Sequence, residues 1–494
     1  MAHNPLGNCF RVGDPRTICG VTPFYIAGKA ETSDAPVDVR HPFDGRIVGR
    51  TGNANPDQVE RAIAAADAVR AEAAALPISA RAGALDHVSA RLEERADEVA
   101  KLITAENGKP LKWARAEVGR AVSTFRWAAE EARRFSGQLQ RLDTDPAATG
   151  RIALIRRAPR GPVLGITPFN FPLNLVAHKV APAIAVGAPI VVKPAPATPL
   201  SALLLGEILA ETQLPAGMFS ILPIPNDRAS ALVADPRLPV VSFTGSGPVG
   251  WGIRDAEPRK HVTLELGGNA AVVVCADWPD LDWAANRIAT FSNYQAGQSC
   301  VAVQRVFVTD SRYDALADRL VDAVGALRTG DPNDEATDVG PMINEDAAKR
   351  VETWVEEALS AGAKLLAGGV REGATYAPTI LADVPADAKV CTEEVFGPVL
   401  VLARVSSDSE GFAAVNDSPY GLQAGVFTRR VDVAFRAHRI LDVGGVIVGD
   451  VPSYRADQMP YGGLKGSGIG REGLASAMED YTEPRVMVLT GLDL

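Results

Sequence analysis

Gly161-Pro162-Val163-Leu164-Gly165-Ile166, Pro189-Ile190-Val191-Val192-Lys193 and Val240-Val241-Ser242-Phe243 are short apolar runs, each followed by sequence of helical period. A run apolar on both faces suits a strand covered on both sides, and its alternation with helices predicts an α/β fold with a mainly parallel, buried sheet. Ile152-Ala153-Leu154-Ile155 opens the series after Arg151, and a second α/β series runs from about Val262 to Val448. Upstream the pattern is helical. Asn55 is a good N-cap, with Pro56 in the first turn and Gln58 at the capping-box position, and the Ala-rich sequence continues to about Ala75. A second helix is expected from near Ser79, with Leu85, Val88 and Leu92 on one face. A third is expected over about 110 to 136, ending at Gly137. This charged helical region reads as solvated surface. Residues 1 to about 54, with Phe24-Tyr25-Ile26, read as an arm or edge segment.

The chain has 494 residues, enough for two or three domains, and 47% apolar with 22% charged residues is an ordinary globular balance. A net charge of -10 with scattered cations argues against nucleic-acid and anionic-membrane partners. No apolar run approaches a membrane span, and Met1-Ala2-His3-Asn4-Pro5 lacks signal-peptide character. The five cysteines (Cys9, Cys19, Cys275, Cys300 and Cys391) are spread without metal-ligand spacing. They predict neither a disulfide framework nor a metal site and suit a reducing, cytoplasmic compartment.

Chemistry concentrates in two stretches. Asn293-Tyr294-Gln295-Ala296-Gly297-Gln298-Ser299-Cys300 sets a thiol just after a Gly-containing turn. A thiolate is a strong nucleophile at neutral pH, although a free cysteine is more often a small buried hydrophobe. Cys275, in an apolar strand, reads as core, and Cys9 and Cys19 as inert. Phe243-Thr244-Gly245-Ser246-Gly247-Pro248-Val249-Gly250 follows a strand and matches G-x-G-x-x-G, with Glu265 near the distance of a ribose-binding acid. Pro248 and the long preceding chain fit that fingerprint poorly. A phosphate-proximal role remains, against the alternative of a tight turn without ligand.

Seven stretches in order resemble the aldehyde dehydrogenase superfamily. They are Ile166-Thr167-Pro168-Phe169-Asn170-Phe171-Pro172-Leu173, Val192-Lys193-Pro194-Ala195, Phe243-Thr244-Gly245-Ser246, Leu264-Glu265-Leu266-Gly267-Gly268, Gly297-Gln298-Ser299-Cys300, Glu393-Glu394-Val395-Phe396-Gly397-Pro398 and Pro460-Tyr461-Gly462-Gly463. The resemblance implies two Rossmann-like α/β domains and a small β-arm for oligomerisation. An NAD(P)-binding domain would span 1–136 and 152–262, a catalytic domain 263–465, and the arm 137–151 and 475–494. A homodimer or homotetramer is implied.

By the same resemblance Cys300 is the nucleophile, Asn170 an oxyanion donor and Glu265 the base that activates water. Ile166, Thr167, Pro168, Phe169, Lys193 and Pro196 would lie on the NAD or NADP surface. Phe243, Thr244, Gly245, Ser246 and Gly250 would join them, with Leu266, Gly267, Glu394 and Phe396. Where many NAD-preferring relatives carry a glutamate three residues after the lysine, Pro196 stands here, so NADP should be tolerated. Gly449 stands where relatives often have Asn. Asn170, Ser299, Val301 and Arg455 would face the substrate.

The segment Pro452 to Tyr461 resembles relatives acting on small polar aldehydes, the lactaldehyde, nonphosphorylating glyceraldehyde-phosphate and phosphonoacetaldehyde type. Arg455 would either anchor an anionic substrate or pair with Asp457 or Asp450. The implied reaction is oxidation of a small polar aldehyde to the acid through a Cys300 thiohemiacetal and thioester. The alternatives are a coenzyme A-acylating relative, against which Glu265 speaks, and a non-catalytic cofactor-binding one.

Overall fold

The computed structural model describes residues 20–491, so Cys9 and Cys19 lie outside the described residues. The three apolar runs form adjacent parallel strands, Val163–Ile166, Ile190–Lys193 and Val240–Thr244. With Phe219–Ile221 and His261–Glu265 they make a five-stranded parallel core. Counted along the chain, its spatial order is 3-2-1-4-5. Antiparallel strands flank it: Phe24–Ile26 and Lys29–Glu31 on one side, Gly468–Ile469 on the other. The order reverses between Val163–Ile166 and Val240–Thr244, and ligands of open α/β sheets bind at the carboxyl ends of strands beside such a reversal. Topology therefore points at Thr167–Asn170 and Gly245–Ser246.

A second sheet holds six parallel strands in the spatial order Thr379–Ala382, Val399–Val405, Arg305–Thr309, Ala271–Val274, Gln423–Phe427 and Gly445–Val448, with Lys364–Ala367 antiparallel at one edge. The third is antiparallel: Gln138–Arg141, Arg151–Pro159 and Thr482–Thr490. Its middle strand runs past the expected bound at 151 to Pro159, and the stretch from 475 first completes the helix Leu474–Asp480. Leu139, Val486, Met487 and Val488 are exposed on this sheet.

The helix Pro56–Ala75 starts at Asn55 with the expected reciprocal capping box to Gln58. The next helices are Ile78–Glu94, Ala96–Asn107 and Leu111–Arg134. Their polar residues are not all solvated, contrary to the surface reading. Lys109 and Glu117 are each 1% exposed and form a buried ion pair. Glu117 also accepts from the backbone N–H of Leu173 (3.0 Å) and Asn174 (3.1 Å), satisfying open amides where the helix Asn174–Val186 begins. Lys109 donates to the Asn170 carbonyl at 2.9 Å. Buried Glu106 does the same for another helix, accepting from Leu200 and Ser201 N–H ahead of Leu200–Ala210. Both carboxylates tie the helical layer to chain leaving the sheet's carboxyl edge, so charge that looked like surface is structural.

Removing one member of a buried pair strands the other. Glu117→Ala is expected to cost about 3–5 kcal/mol, read as a drop in denaturation midpoint, and to loosen the Asn170 loop. An unchanged midpoint would contradict this role.

Candidate active site

Asn170 is held through its backbone: the carbonyl accepts from Lys109 Nζ and from Gln295 Nε2 at 2.7 Å. Its side-chain Nδ2 donates to the Gln298 carbonyl at 3.0 Å, while Oδ1 is buried without a partner. The loop leaving Val163–Ile166 is thereby tied to the turn before Cys300. That turn is left-handed over three residues, with φ of 53° at Gln295, 52° at Ala296 and 69° at Gly297. A Cβ on Gly297 would stand 2.0 Å from the Gly397 carbonyl oxygen, so only glycine fits. Gln298 Oε1 accepts from Ile343 N–H and its amide donates to the Gln295 carbonyl, which fixes the turn. These contacts explain Gly297-Gln298 ahead of the thiol. The Cys300 backbone N–H meets no acceptor among the described residues.

Cys300 opens into a cavity of 310 Å³, which Asn170, Glu265, Glu394 and Arg455 also line. Its Sγ lies 2.9 Å from the Tyr461 hydroxyl. Burial pushes the thiol up to about 12, opposed by the Tyr461 contact and then by the Arg455 charge. The Arg455 guanidinium sits 3.9 Å from the Tyr461 ring centroid, a cation–π contact. Glu265 ends the strand His261–Glu265, is 3% exposed, and has no partner for either carboxylate oxygen. Burial first, and then the nearby Glu472, raise its pKa well above the ordinary carboxylate range. Glu472 is held low, at about 2, against its own burial by Lys179, Arg455 and His178. Two neighbouring carboxyls are thus driven apart, one toward the neutral and one toward the charged form.

Arg455 pairs with neither suggested acid. Its Nη2 donates to Glu472 at 3.0 Å, while Asp450 binds Arg287 and Asp457 binds Arg120 (3.0 Å) and His178 (3.2 Å). Arg455 Nε is buried and unpartnered. Arg120, on the helix Leu111–Arg134, lines the same cavity and was not singled out from the sequence. Nor were Lys179 and Glu472, and Tyr461 stood only within the stretch Pro460-Tyr461-Gly462-Gly463, with no role assigned. Their partners are distant in sequence: Lys179 meets Glu472 across 293 residues, Tyr461 meets Cys300 across 161 and Arg120 meets Asp457 across 337. Ser299 and Val301 line the cavity, with Ser299 Oγ engaged by Tyr294 and the Val301 carbonyl by Ser453.

Of the residues expected at the cofactor, Pro168, Phe169, Thr244, Gly245, Ser246, Leu266, Gly267, Glu394 and Phe396 line this cavity. Ile166, Thr167, Phe243 and Gly250 stand behind it, all buried. The expected Gly-rich turn opens the helix Gly247–Ala256, with Ser246 as N-cap. Gly250 has a packing reason, since a Cβ there would stand 2.4 Å from Leu266 Cδ2. Glu265 stands with Cys300 in the cavity. Glu394 accepts from Gly268 N–H at 3.0 Å, and burial raises its carboxyl to about 7. A Cβ on Gly267 would be 2.1 Å from Glu394 Oε2, so this carboxylate is cradled by bare backbone. Lys193 and Pro196 do not line the cavity. Lys193 Nζ donates to Asn226 at 2.7 Å, and Pro196 is exposed. Cys275 is fully buried, as read, and Cys391 is half-buried with no partner role in the cavity. Among the described residues no His, Cys, Asp and Glu group could hold a metal, and no helix is long and apolar enough to cross a membrane.

A Tyr461 hydroxyl donating to Sγ favours the thiolate, and a hydrogen bond to a charged group is worth about 1.5–3 kcal/mol. Tyr461→Phe is therefore expected to slow iodoacetamide alkylation of Cys300 by about tenfold at neutral pH. An unchanged alkylation rate in folded protein would remove that role.

The sequence profile of the aldehyde dehydrogenase family matches residues 29–487. The chain is 41% identical over 469 residues to 3-sulfolactaldehyde dehydrogenase of Priestia aryabhattai, covering 94% of this chain and 97% of that one. Aldehyde dehydrogenase 21 from Physcomitrella patens, solved with the reaction product succinate, superposes with a TM-score of 0.93 at 44% identity, over 95% of this chain and 98% of that one. Glyceraldehyde-3-phosphate dehydrogenase from Methanocaldococcus jannaschii, solved with NADP, gives 0.89 at 35% identity, over 93% and 100%. With a thiol, an amide and a raised carboxyl in one cavity at the sheet's reversal point, this chain belongs to the aldehyde dehydrogenase family, NAD(P)-dependent oxidoreductases acting on aldehydes.

Proposed function

We propose that this protein oxidises a small aldehyde bearing an anionic group to the carboxylic acid, with Cys300 as nucleophile and Glu265 as base. The observation that carries the anionic part is the pair of guanidiniums, Arg120 and Arg455, lining the cavity that holds Cys300. The unpartnered Arg455 Nε is a donor left for a substrate group. The relatives named for sulfolactaldehyde and solved with succinate handle a sulfonate and a carboxylate, which supports the same class.

In this reading the Cys300 thiolate adds to the aldehyde carbon, giving a thiohemiacetal. The Asn170 side-chain amide and the Cys300 N–H donate to the developing oxyanion, each such donor being worth about 3 kcal/mol of barrier. NAD(P), when bound, supplies the acceptor that makes the step an oxidation. Glu394 on its glycine cradle would hold the nicotinamide-side ribose, and the Gly245-Ser246 turn the pyrophosphate. Phe396 packs edge-on against Phe169 (5.9 Å between centroids) and walls this side. The Cys300 thioester is then hydrolysed by water that gives its proton to Glu265, which favours the free acid over transfer to coenzyme A. Gly462 leaves room for this carboxylate, since a Cβ there would lie 2.8 Å from Glu265 Oε1. Lys193 and Pro196 leave NADP as acceptable as NAD. The antiparallel sheet with its exposed Val486, Met487 and Val488 would be the oligomerisation arm of a homodimer or homotetramer, and the compartment would be the cytoplasm.

Glu265→Gln is expected to keep a single NAD(P)H burst, one per active site, while steady-state turnover falls about 10²–10⁴-fold and loses its rise with pH. That limb belongs to Glu265 because its raised pKa leaves it protonated, and unable to accept a proton, at low pH. Full turnover would sink the base assignment, and loss of the burst would place Glu265 in the acylation step instead. Arg455→Lys should raise KM for succinate semialdehyde far more than for neutral propanal, measured with NAD and NADP in turn. Equal effects on both aldehydes would mean that Arg455 serves the fold.

A further inference from the structure

A second cavity is on the opposite edge of the first sheet. It measures 450 Å³ and lies where the Pro159–Gly161 and Pro189 segments enter the parallel strands, between the helical layer and the antiparallel sheet. Six arginines line it: Arg70, Arg81, Arg156, Arg157, Arg160 and Arg485; no acidic side chain does. In a chain of net charge -10 such a gathering needs a cause.

One cause is local. Helix and strand ends leave open carbonyls here, and arginines answer some of them: Arg81 donates to Ala185, Arg157 to Glu479 and Arg160 to Asp480. Carbonyl dipoles bind a guanidinium without neutralising it. The carboxylates in reach are two, Asp67 beside Arg70 at 3.4 Å and Glu483, shared between Arg485 (3.2 Å) and Arg160 (3.8 Å). Arg156 is exposed and has no hydrogen-bond or ion-pair partner among the described residues. Arg81 Nε is buried and unpartnered. Arg81, Arg156 and Arg157 thus converge without a carboxylate partner among the described residues, held apart by the backbone of the helix Ile78–Glu94 and the strand Arg151–Pro159. A rigid set of planar forks with spare N–H groups matches phosphoryl oxygens, which accept in pairs.

We propose that this cavity is a binding site for a small phosphoryl polyanion, separate from the active-site cleft. Its size is within the range of small-molecule sites, about 300–1,000 Å³. The ligand neutralises Arg81 and Arg156 from solvent and bridges the helix Ile78–Glu94 to the strand Arg151–Pro159.

Calorimetric titration of the whole protein with inorganic pyrophosphate, with and without NADP, tests this, and binding at this cavity is told from binding in the cleft by its dependence on Arg156. Saturable binding is expected, weakened at least about tenfold in Arg156→Glu and in Arg81→Gln. Arg156→Glu changes an exposed side chain, so it stays informative where Arg81→Gln fails to fold, and its kcat and KM should match wild type. Absence of saturable binding, or binding that Arg156→Glu leaves unchanged, overturns the site. So does an Arg156→Glu protein that changes oligomeric state without pyrophosphate having bound the wild type, since the cavity is then a contact between copies.

Discussion

The buried pair of Lys109 and Glu117 is the constraint on which the catalytic geometry rests. Two charges taken out of water are costly, and what offsets the cost is that both members make further hydrogen bonds. Glu117 satisfies the open amides at the start of Asn174–Val186, and Lys109 binds the Asn170 carbonyl. The same helix that begins there carries Lys179 into the polar core, where its Nζ donates to Ser242 (3.1 Å) and Thr244 (2.8 Å) and faces Glu472. One ion pair in the helical layer therefore sets the position of the proposed oxyanion donor and, along one helix, of the cation that holds Glu472 charged.

The second constraint is strain. Three consecutive left-handed residues before Cys300 are unfavourable for Gln295 and Ala296, at about 1–3 kcal/mol each. They persist because Gln295 Nε2 binds the Asn170 carbonyl and Asn170 Nδ2 binds the Gln298 carbonyl. Asn170 and the turn before Cys300, from different sheets, are thereby locked to each other. Such reciprocal fixing is what a preorganised site requires, since donors that must reorient during reaction lose much of their electrostatic advantage.

Cations do different work at the two edges of the first sheet. At the carboxyl edge Arg455, Lys179 and Arg120 meet Glu472 and Asp457, so each cation has a carboxylate partner. At the amino edge six arginines meet carbonyls and two acids, and the balance is left open. Parallel strands make this asymmetry natural: helix N-termini and their open N–H groups gather at one edge, helix C-termini and their carbonyls at the other.

The alternation of apolar runs with helical sequence was enough for the α/β class, and Asn55-Pro56 with Gln58 was enough for a helix start, because both depend on local periodicity and capping. Cys300, Asn170 and Glu265 were legible through the seven ordered stretches that resemble the aldehyde dehydrogenase superfamily, since each residue alone has a commoner structural reading, and the structure brings all three to one cavity. The partners of Arg455 were not. Asp457 and Asp450 were nearer in sequence, yet Glu472 from the segment beyond the turn reaches it in space. Nor could composition separate the solvated charges of the first helices from Lys109, Glu117 and Glu106, since a Glu in a helix reads the same whether water or a helix N-terminus meets it. Local pattern determined which elements form and which stretches carry chemistry. Tertiary structure alone decided which charges are buried and with whom, because burial and pairing depend on segments that meet only after the chain has folded.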